Sequence, residues 1–245
     1  MTSRLTALLF CVALLTSAVN AQGRWGNNRQ ITASDNVETQ TRNVDGFSEI
    51  KVCCSIEVDV HQSNTFRVEV EAADNILQYI VTEVRGSRLH IGFEDNINIR
   101  NNSKVRVTVH MPRLEEVSAS SSSKLLGQST FRGGNLRLEC SSSAKINLDF
   151  EGERVNADVS SSGRIELEGS ADRLRVNSSS GSSVHAFDLA TQNVDAHASS
   201  GSNIRVHASS SLDARASSGA TVKYRGNPSN RDTDSSSGGR VRQDN

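Results

Sequence analysis

Three pairs of acidic residues are the strongest candidates for acid–base chemistry in this sequence: Glu115 with Glu116, Asp149 with Glu151, and Glu166 with Glu168. Two carboxyl groups that flank a glycosidic bond can hydrolyse it, one as the acid and the other as base or nucleophile. Here the acidic positions alternate with apolar ones, which is typical of the solvated face of a strand. No long loop interrupts the surrounding pattern to wall a substrate cleft. We therefore predict no catalytic residue.

Histidine and serine are the other residues that could do chemistry. The six histidines lie at positions 61, 90, 110, 185, 197 and 207 and lack the close spacing of a zinc site. The many serines include no Gly-x-Ser-x-Gly motif with identifiable partners, so nucleophilic catalysis is disfavoured. The sequence therefore predicts neither a metal site nor a cofactor site.

The first 21 residues have the pattern of a secretory signal. Arg4 precedes an apolar run from Leu5 to Val19, and Val19-Asn20-Ala21 supplies the small residues of a cleavage site. The run of about 15 residues is shorter than the roughly 20 that span a bilayer, and no other stretch comes close. We expect cleavage after Ala21 and export to the periplasm, the cell surface or the medium, without a transmembrane segment.

The charge balance argues against a nucleic-acid partner. The chain has 27 basic and 28 acidic residues. Removal of residues 1–21 takes away only Arg4, which leaves a formal charge of −2. A nucleic-acid groove needs a basic excess, which is absent.

Four cysteines are present, and Cys11 lies inside the predicted signal. The remaining Cys53, Cys54 and Cys140 allow at most one disulfide within a monomer. In a strand, adjacent cysteines point to opposite faces, so only one of Cys53 and Cys54 could meet Cys140. The alternative is that Cys140 is simply a small buried residue.

A serine-rich unit recurs with a period of about 19 residues. The residues that close successive units lie at 124, 144, 163, 181, 201, 219 and 238. Serine-rich segments are commonly disordered linkers, but two apolar columns keep the same period here. One column follows the serines, at Leu126, Ile146, Ile165, Val184, Ile204, Val222 and Val241. The other precedes them, at Val117, Leu136, Val155, Leu174, Val194 and Leu212.

These columns predict a solenoid. A unit of this length with two short strands cannot bury its own apolar face, whereas stacked units share one core and one hydrogen-bond ladder. The sequence thus predicts an all-β parallel β-helix with about 19 residues per turn. Serine and glycine form its corners, where glycine can supply a positive φ. Arg231 falls where an apolar residue is due, so we expect residues 232–242 to form a polar cap.

The first half of the chain is less regular. Residues 22–41 lack periodicity, so we expect a flexible lead before order begins near Val44. Apolar alternation then predicts strands around Ile50, Val58, Val68, Leu89 and Val107, and a helical turn is expected over 75–81. No linker separates the halves, which predicts one domain over 42–245.

Two outward columns are predicted to run from acidic to basic along the rod. The 19-residue register stacks Asn147, Glu166, His185, Arg205 and Lys223 in one of them. It stacks Glu139, Asp158, Asn177, His197 and Arg215 in the other. The hypothesis is that this gradient orients the rod on a charged envelope surface or pairs rods antiparallel, and the alternative is a mixed surface that keeps the rod soluble.

Four segments carry a resemblance to a known family. They are residues 42–50 (RNVDGFSEI), 58–62 (VDVHQ), 85–91 (RGSRLHI) and 107–114 (VTVHMPRL). With the serine-glycine corners that follow, the chain from about 42 to the end resembles the head GIN domain family of auto-transporter adhesins. The resemblance implies a right-handed β-helix exported by bacteria, and it brings no catalytic residues. Cys53-Cys54-Ser55 departs from the family pattern, which leads us to expect a small or glycine-bearing corner at that point.

The sequence therefore favours an exported, non-enzymatic β-helix that acts as a surface or envelope binding module. Adhesion to glycans or other envelope polymers is the leading role, because a long flat β face makes many shallow contacts. The first alternative is a periplasmic structural protein without an external ligand. A glycan-active enzyme is the second.

Overall fold

The computed structural model describes residues 29–100 and 104–244. The predicted signal therefore lies outside the described residues. The strands are β1 (Arg29–Thr32), β2 (Val37–Arg42), β3 (Glu49–Val52), β4 (Glu57–Gln62), β5 (Arg67–Ala73), β6 (Ile80–Arg85), β7 (Arg88–Phe93), β8 (Ile97–Arg100), β9 (Arg106–Met111), β10 (Glu116–Ala119), β11 (Lys124–Cys140), β12 (Lys145–Val159), β13 (Arg164–Ser178), β14 (Ser183–Ala198), β15 (Asn203–Ala216), β16 (Thr221–Arg225), β17 (Asn230–Ser235) and β18 (Arg240–Gln243). Within the described ranges, the chain forms no extended apolar helix that could span a bilayer.

Each long strand from β11 to β15 makes one turn of a parallel β-solenoid. In β12 the buried residues Ile146, Leu148 and Phe150 alternate with outward ones, and the phase of the alternation then changes before Val155. The turn thus has two faces, which we call the post-corner face (residues such as 145–150) and the pre-corner face (residues such as 155–159). Lys145 pairs with Arg164 and Arg164 with Ser183, 19 residues apart each time, so the predicted fold and period are confirmed.

The corners are four-residue turns whose second and third residues have a left-handed backbone. In Ser160–Gly163 these are Ser161, with a φ of 49°, and Ser162, with a φ of 62°. The N–H of the third residue donates to the carbonyl of the second residue one turn further on, as from Ser162 to Ser180 at 3.1 Å. This bond runs opposite to those of the flanking strands, and it continues the ladder around the corner. Glycine is used for the third residue only from Gly181 onward, so serine itself adopts the positive φ earlier in the chain.

Cys53-Cys54-Ser55 is the first of these corners. Cys54 and Ser55 have the same positive φ pair, and the Ser55 N–H donates to the Ser121 carbonyl at 2.9 Å. Cys53 and Cys54 are joined to each other in a disulfide, whereas Cys140 is free and buried. The sequence left open a disulfide between Cys140 and one of Cys53 and Cys54, and the structure does not contain it. Cys53 and Cys54 do not meet the condition of lying in a strand, because both belong to a corner.

The core is one continuous apolar cluster between the two faces, and it includes the three fully buried phenylalanines Phe47, Phe131 and Phe150. In one inward column of the pre-corner face the side chains become smaller toward the C-terminus. That column begins at Leu138, continues through Ala157 and Val176, and ends with the alanines Ala196 and Ala214. At Gly152 the backbone of the neighbouring turn leaves no room for a side chain, because a Cβ there would lie 2.1 Å from the Gly133 carbonyl oxygen.

The N-terminal turns are not stacked in chain order. β3 lies between β7 and β10, and β4 lies between β9 and β11, all in parallel. Antiparallel neighbours close this end, with β6 on β7 and with β5 and β2 beyond β9. The predicted strands and the helical turn are present, the latter as a 3-10 turn at Leu77–Tyr79. The expectation that order begins near Val44 is wrong, because β1 pairs with β8 and β2 with β5.

In the C-terminal turn, the pre-corner strand β17 is polar on its inner side. Arg231, Thr233 and Ser235 stack on Leu212, Ala214 and Ala216. The Arg231 guanidinium donates to the hydroxyl oxygen of Tyr224 at 2.8 Å, and the Tyr224 ring is buried. The misfit of Arg231 with the apolar column is thus confirmed, and this last turn is itself a paired part of the ladder.

Candidate binding surface

Two of the three predicted carboxylate pairs are engaged in contacts within the fold. Glu115 accepts from the Ser48 hydroxyl at 2.7 Å, and Glu116 pairs with Arg88. Asp149 accepts from the Thr130 hydroxyl, and Arg132 donates to Glu151 at 2.9 Å. The third pair, Glu166 and Glu168, lies in register with His185 and Asp188 on the post-corner face. These contacts bind neighbouring turns to one another and do not place two carboxyl groups across a cleft.

The fold brings together two histidines that are far apart in the sequence. His61 on β4 and His110 on β9 are in register and stack with ring centroids 4.6 Å apart. Burial and the neighbouring His61 lower the pKa of His110. The pKa of His185 is lowered by burial and by the adjacent Arg205. The expected separation of His185 and His207 into different columns is confirmed, since His185 pairs with Arg205 and His207 with Ala190.

One cluster of candidate metal ligands was missed by sequence reasoning. Asp195, His197 and Asp213 each offer a ligand atom within 4.8 Å of the others. Arg175 lies 3.8 Å from Asp195, and Arg215 lies 3.2 Å from Asp213, so both carboxylates have a cation beside them. The signal in the sequence is an Asp-x-His pair with a second aspartate one turn later. This signal can be recognised only when the number of residues in the turn from β14 to β15 is known.

Both predicted outward columns stack as expected. On the pre-corner face, however, the column beside Glu139–Arg215 runs in the opposite sense. It consists of Arg137, Asn156, Arg175, Asp195 and Asp213. Ion pairs join the two columns, for example Arg137 to Glu139 at 2.8 Å. The proposed gradient is therefore offset on this face by its neighbour.

Two shallow grooves flank these paired columns along the rod. The first has a volume of about 720 Å³ and lies between the column from Glu139 to Arg215 and the first serines of successive corners, such as Ser160 and Ser179. The second has a volume of about 890 Å³ and is lined by Arg154, Arg173 and Arg175 with polar neighbours. In the first groove, each turn contributes a corner serine and one further polar side chain, whose type changes from the carboxylate of Asp158 to the guanidinium of Arg215. Such repeating donors and acceptors suit a polar chain that lies along the rod.

Comparison with known proteins agrees with this architecture. The model of the family described as "Putative auto-transporter adhesin, head GIN domain" matches residues 46–228. No curated protein matches the sequence. A solved putative adhesin from Bacteroides fragilis has a similar fold, with a TM-score of 0.81 and 21% identity over 87% of this chain and 100% of its own. A putative lipid binding protein from Parabacteroides distasonis gives 0.74 and 20% identity over 89% of this chain and 100% of its own.

Proposed function

Because the chain belongs to the putative auto-transporter adhesin, head GIN domain family, we propose that it is an exported, non-enzymatic binding module of the bacterial cell surface or envelope. Its ligand in this proposal is a glycan or another envelope polymer that lies along the solenoid. The module acts through many shallow polar contacts, not through a closed pocket.

The observation that carries the proposal is the repetition of polar groups along the two grooves. The ladder Asp158, Asn177, His197 and Arg215 presents one polar side chain per turn beside a corner serine. The Asn177 amide donates to Asp158 at 2.9 Å, so neighbouring rungs hold each other in position. Preorganised side chains lose less conformational entropy when a ligand binds. A repeating ligand can therefore gain affinity from each turn it contacts.

Protease accessibility tests the location first. We expect added protease to digest the protein on intact cells, or the protein to be found in the medium. Protection until the outer membrane is permeabilised would contradict a surface role and favour the alternative of a periplasmic structural protein.

Glycan binding tests the mode of action. Binding of the purified chain to immobilised envelope polysaccharides should fall when Asn177→Ala and His197→Ala are combined, because both line the first groove. Asn98→Ala with Thr39→Ala, on strands distant from the groove, is the matched control. A complete absence of binding to cells and isolated polymers would contradict the proposal. Since one structural neighbour is named for lipid binding, neutral lipid vesicles form a separate arm.

A further inference from the structure

The C-terminal end of the post-corner face carries a concentration of positive charge. Arg205, Lys223 and Arg242 are consecutive members of one outward column. Strand spacing places such neighbours about 4.8 Å apart along the rod. Arg225 and Arg240 flank this column on the last turns. We call these five residues the basic end.

The basic end has little internal neutralisation. Asp244 lies 3.4 Å from both Lys223 and Arg225, and it is the only acidic residue that pairs with the basic end among residues 29–100 and 104–244. Earlier turns of the same face carry acidic residues as well as basic ones. Lys124 lies 3.4 Å from Glu57, and the strands of Lys145 and Arg164 also carry Asp149 and Glu168. On the pre-corner face, Arg137 and Arg215 contact carboxylates. The acidic-to-basic gradient along the rod is therefore cancelled by ion pairs on the pre-corner face but is retained on the post-corner face.

Stacked like charges require a physical explanation, because like charges opposite one another in a sheet destabilise it. Three cations at strand spacing repel along the column, and a bound polyanion would relieve that repulsion. A linear polyanion lying along the rod can contact all three in succession. Binding of the polyanion should be strongest at low ionic strength, since salt screens exposed charges.

Phe187 adds a fixed element to this surface. β14 has one residue more than β13 at this point, since Glu166 pairs with His185 but Glu168 pairs with Asp188. Phe187 lies in this bulge, and the Arg225 guanidinium lies over its ring at 4.1 Å from the centroid. A cation–π contact of this kind restrains the arginine. Arg225 is therefore held in place on this surface between the Phe187 ring and the Asp244 carboxylate.

We propose that the basic end is the binding site for an anionic glycan, one that carries carboxylate, sulfate or phosphate groups along its chain. This inference rests on the proposed function and names the ligand class. A glycan fits better than a membrane because the cations follow the rod axis. In addition, Phe187, the large apolar side chain beside the basic end, is partly buried and covered by Arg225, and the exposed Val37 of the described chain lies on β2.

The test compares two triple variants with the same change in charge. Arg205→Gln, Lys223→Gln and Arg242→Gln neutralise the column of the basic end. Lys124→Gln, Lys145→Gln and Arg164→Gln neutralise a stacked column at the other end of the same face. Binding is measured to immobilised polygalacturonate and dextran sulfate, with neutral dextran as reference. We expect at least tenfold weaker binding for the first variant, less than twofold for the second, and loss of wild-type binding as sodium chloride is raised. Circular dichroism verifies that both variants are folded.

Several results would overturn the inference. Equal weakening by both variants would mean that net charge alone matters. Binding to phosphatidylglycerol vesicles, lost in the first variant, without binding to either charged polysaccharide would indicate a membrane partner. Binding of the wild type to neutral glycans or cells but not to the charged polysaccharides would reject this inference and leave the proposed function standing. Binding to no polymer and no cell would reject both.

Discussion

At the scale of single residues, the two classes of cysteine differ in accessibility. The bonded pair Cys53 and Cys54 lies at an exposed corner near the N-terminal end, while Cys140 is an inward residue of β11. Burial raises the pKa of the Cys140 thiol to about 11, and the thiol donates to the Ala144 carbonyl at 3.2 Å. Because the thiolate is the reactive form, Cys140 should be inert in the folded protein.

Alkylation with iodoacetamide at pH 8 tests this arrangement. We expect no modification of the folded chain beginning at residue 22, modification of Cys140 alone in denaturant, and modification of Cys53 and Cys54 only after reduction. Peptide mass mapping identifies the sites. Modification of Cys53 or Cys54 in denaturant without reductant would contradict the vicinal disulfide.

His110, whose ring stacks on His61, should make the fold sensitive to mild acid. Burial, His61 and Arg67 lower the pKa of His110, while Glu69 opposes the shift. Because the pKa of His110 is lower in the folded state, the unfolded chain binds a proton at His110 more readily. The contribution of neutral His110 to the free energy of unfolding is therefore fully present above about pH 6.5, and it is lost as the pH falls toward the lowered pKa. The melting temperature of the wild type should fall between pH 7.5 and 5.5, and His110→Gln should reduce that fall. Between pH 7.5 and 8.5 the difference between the two proteins should stay constant. An unchanged acid response in the variant would contradict this role for His110.

At the scale of elements, the corner has strict conformational demands at two positions. A left-handed backbone costs about 1–2 kcal/mol for a residue other than glycine. Replacement by glycine removes this strain but adds about 0.5–1 kcal/mol of unfolded-state entropy. Ser162→Gly should therefore stabilise the fold by about 0.5–1 kcal/mol, and Ser161→Val should destabilise it by more than about 2 kcal/mol, since β-branched residues strongly resist this conformation.

Urea unfolding of the two variants measures these differences. Ser160→Gly is the control, because Ser160 occupies the same corner without a positive φ and should gain nothing. Stabilisation by Ser160→Gly equal to that by Ser162→Gly would show that the left-handed backbone is not the cause.

The elements also show what the sequence could and could not predict. Period-two alternation and the 19-residue period were sufficient for β12 to β15, because each turn there stacks on the next in chain order. They were insufficient for β3, β7, β9 and β10, whose spatial order depends on antiparallel closing strands at the N-terminal end. The sequence also misplaced some corners by one residue, because it took the closing glycine as a fixed corner position. In the structure, Gly163 is the fourth residue of its corner, whereas Gly181 is the third residue of the next one. The two grooves and the basic end could not be predicted without the register between turns, because each combines side chains from several strands.

At the scale of the whole molecule, the rod has two different ends. Antiparallel strands β6 and β2 form the outermost N-terminal pairings. The C-terminal end offers β17 and β18, which are parallel to the ladder and whose outer edges pair with no other described strand. An open strand edge can pair with another molecule, and polar or charged side chains oppose this. Arg231 and Thr233 occupy the inner positions of β17 and thus withhold an apolar surface from such a partner.

Replacing these two residues should promote association of rods. Arg231→Leu with Thr233→Val continues the columns of Leu212 and Ala214 and removes the donor to the Tyr224 hydroxyl. We expect the mass measured by light scattering to increase with protein concentration more steeply than for the wild type. Asp232→Asn with Asp234→Asn alters the outward side chains of the same strand and is the matched control. Identical mass distributions for the wild type and both variants would mean that the polar inner side of the last turn does not keep the rods apart.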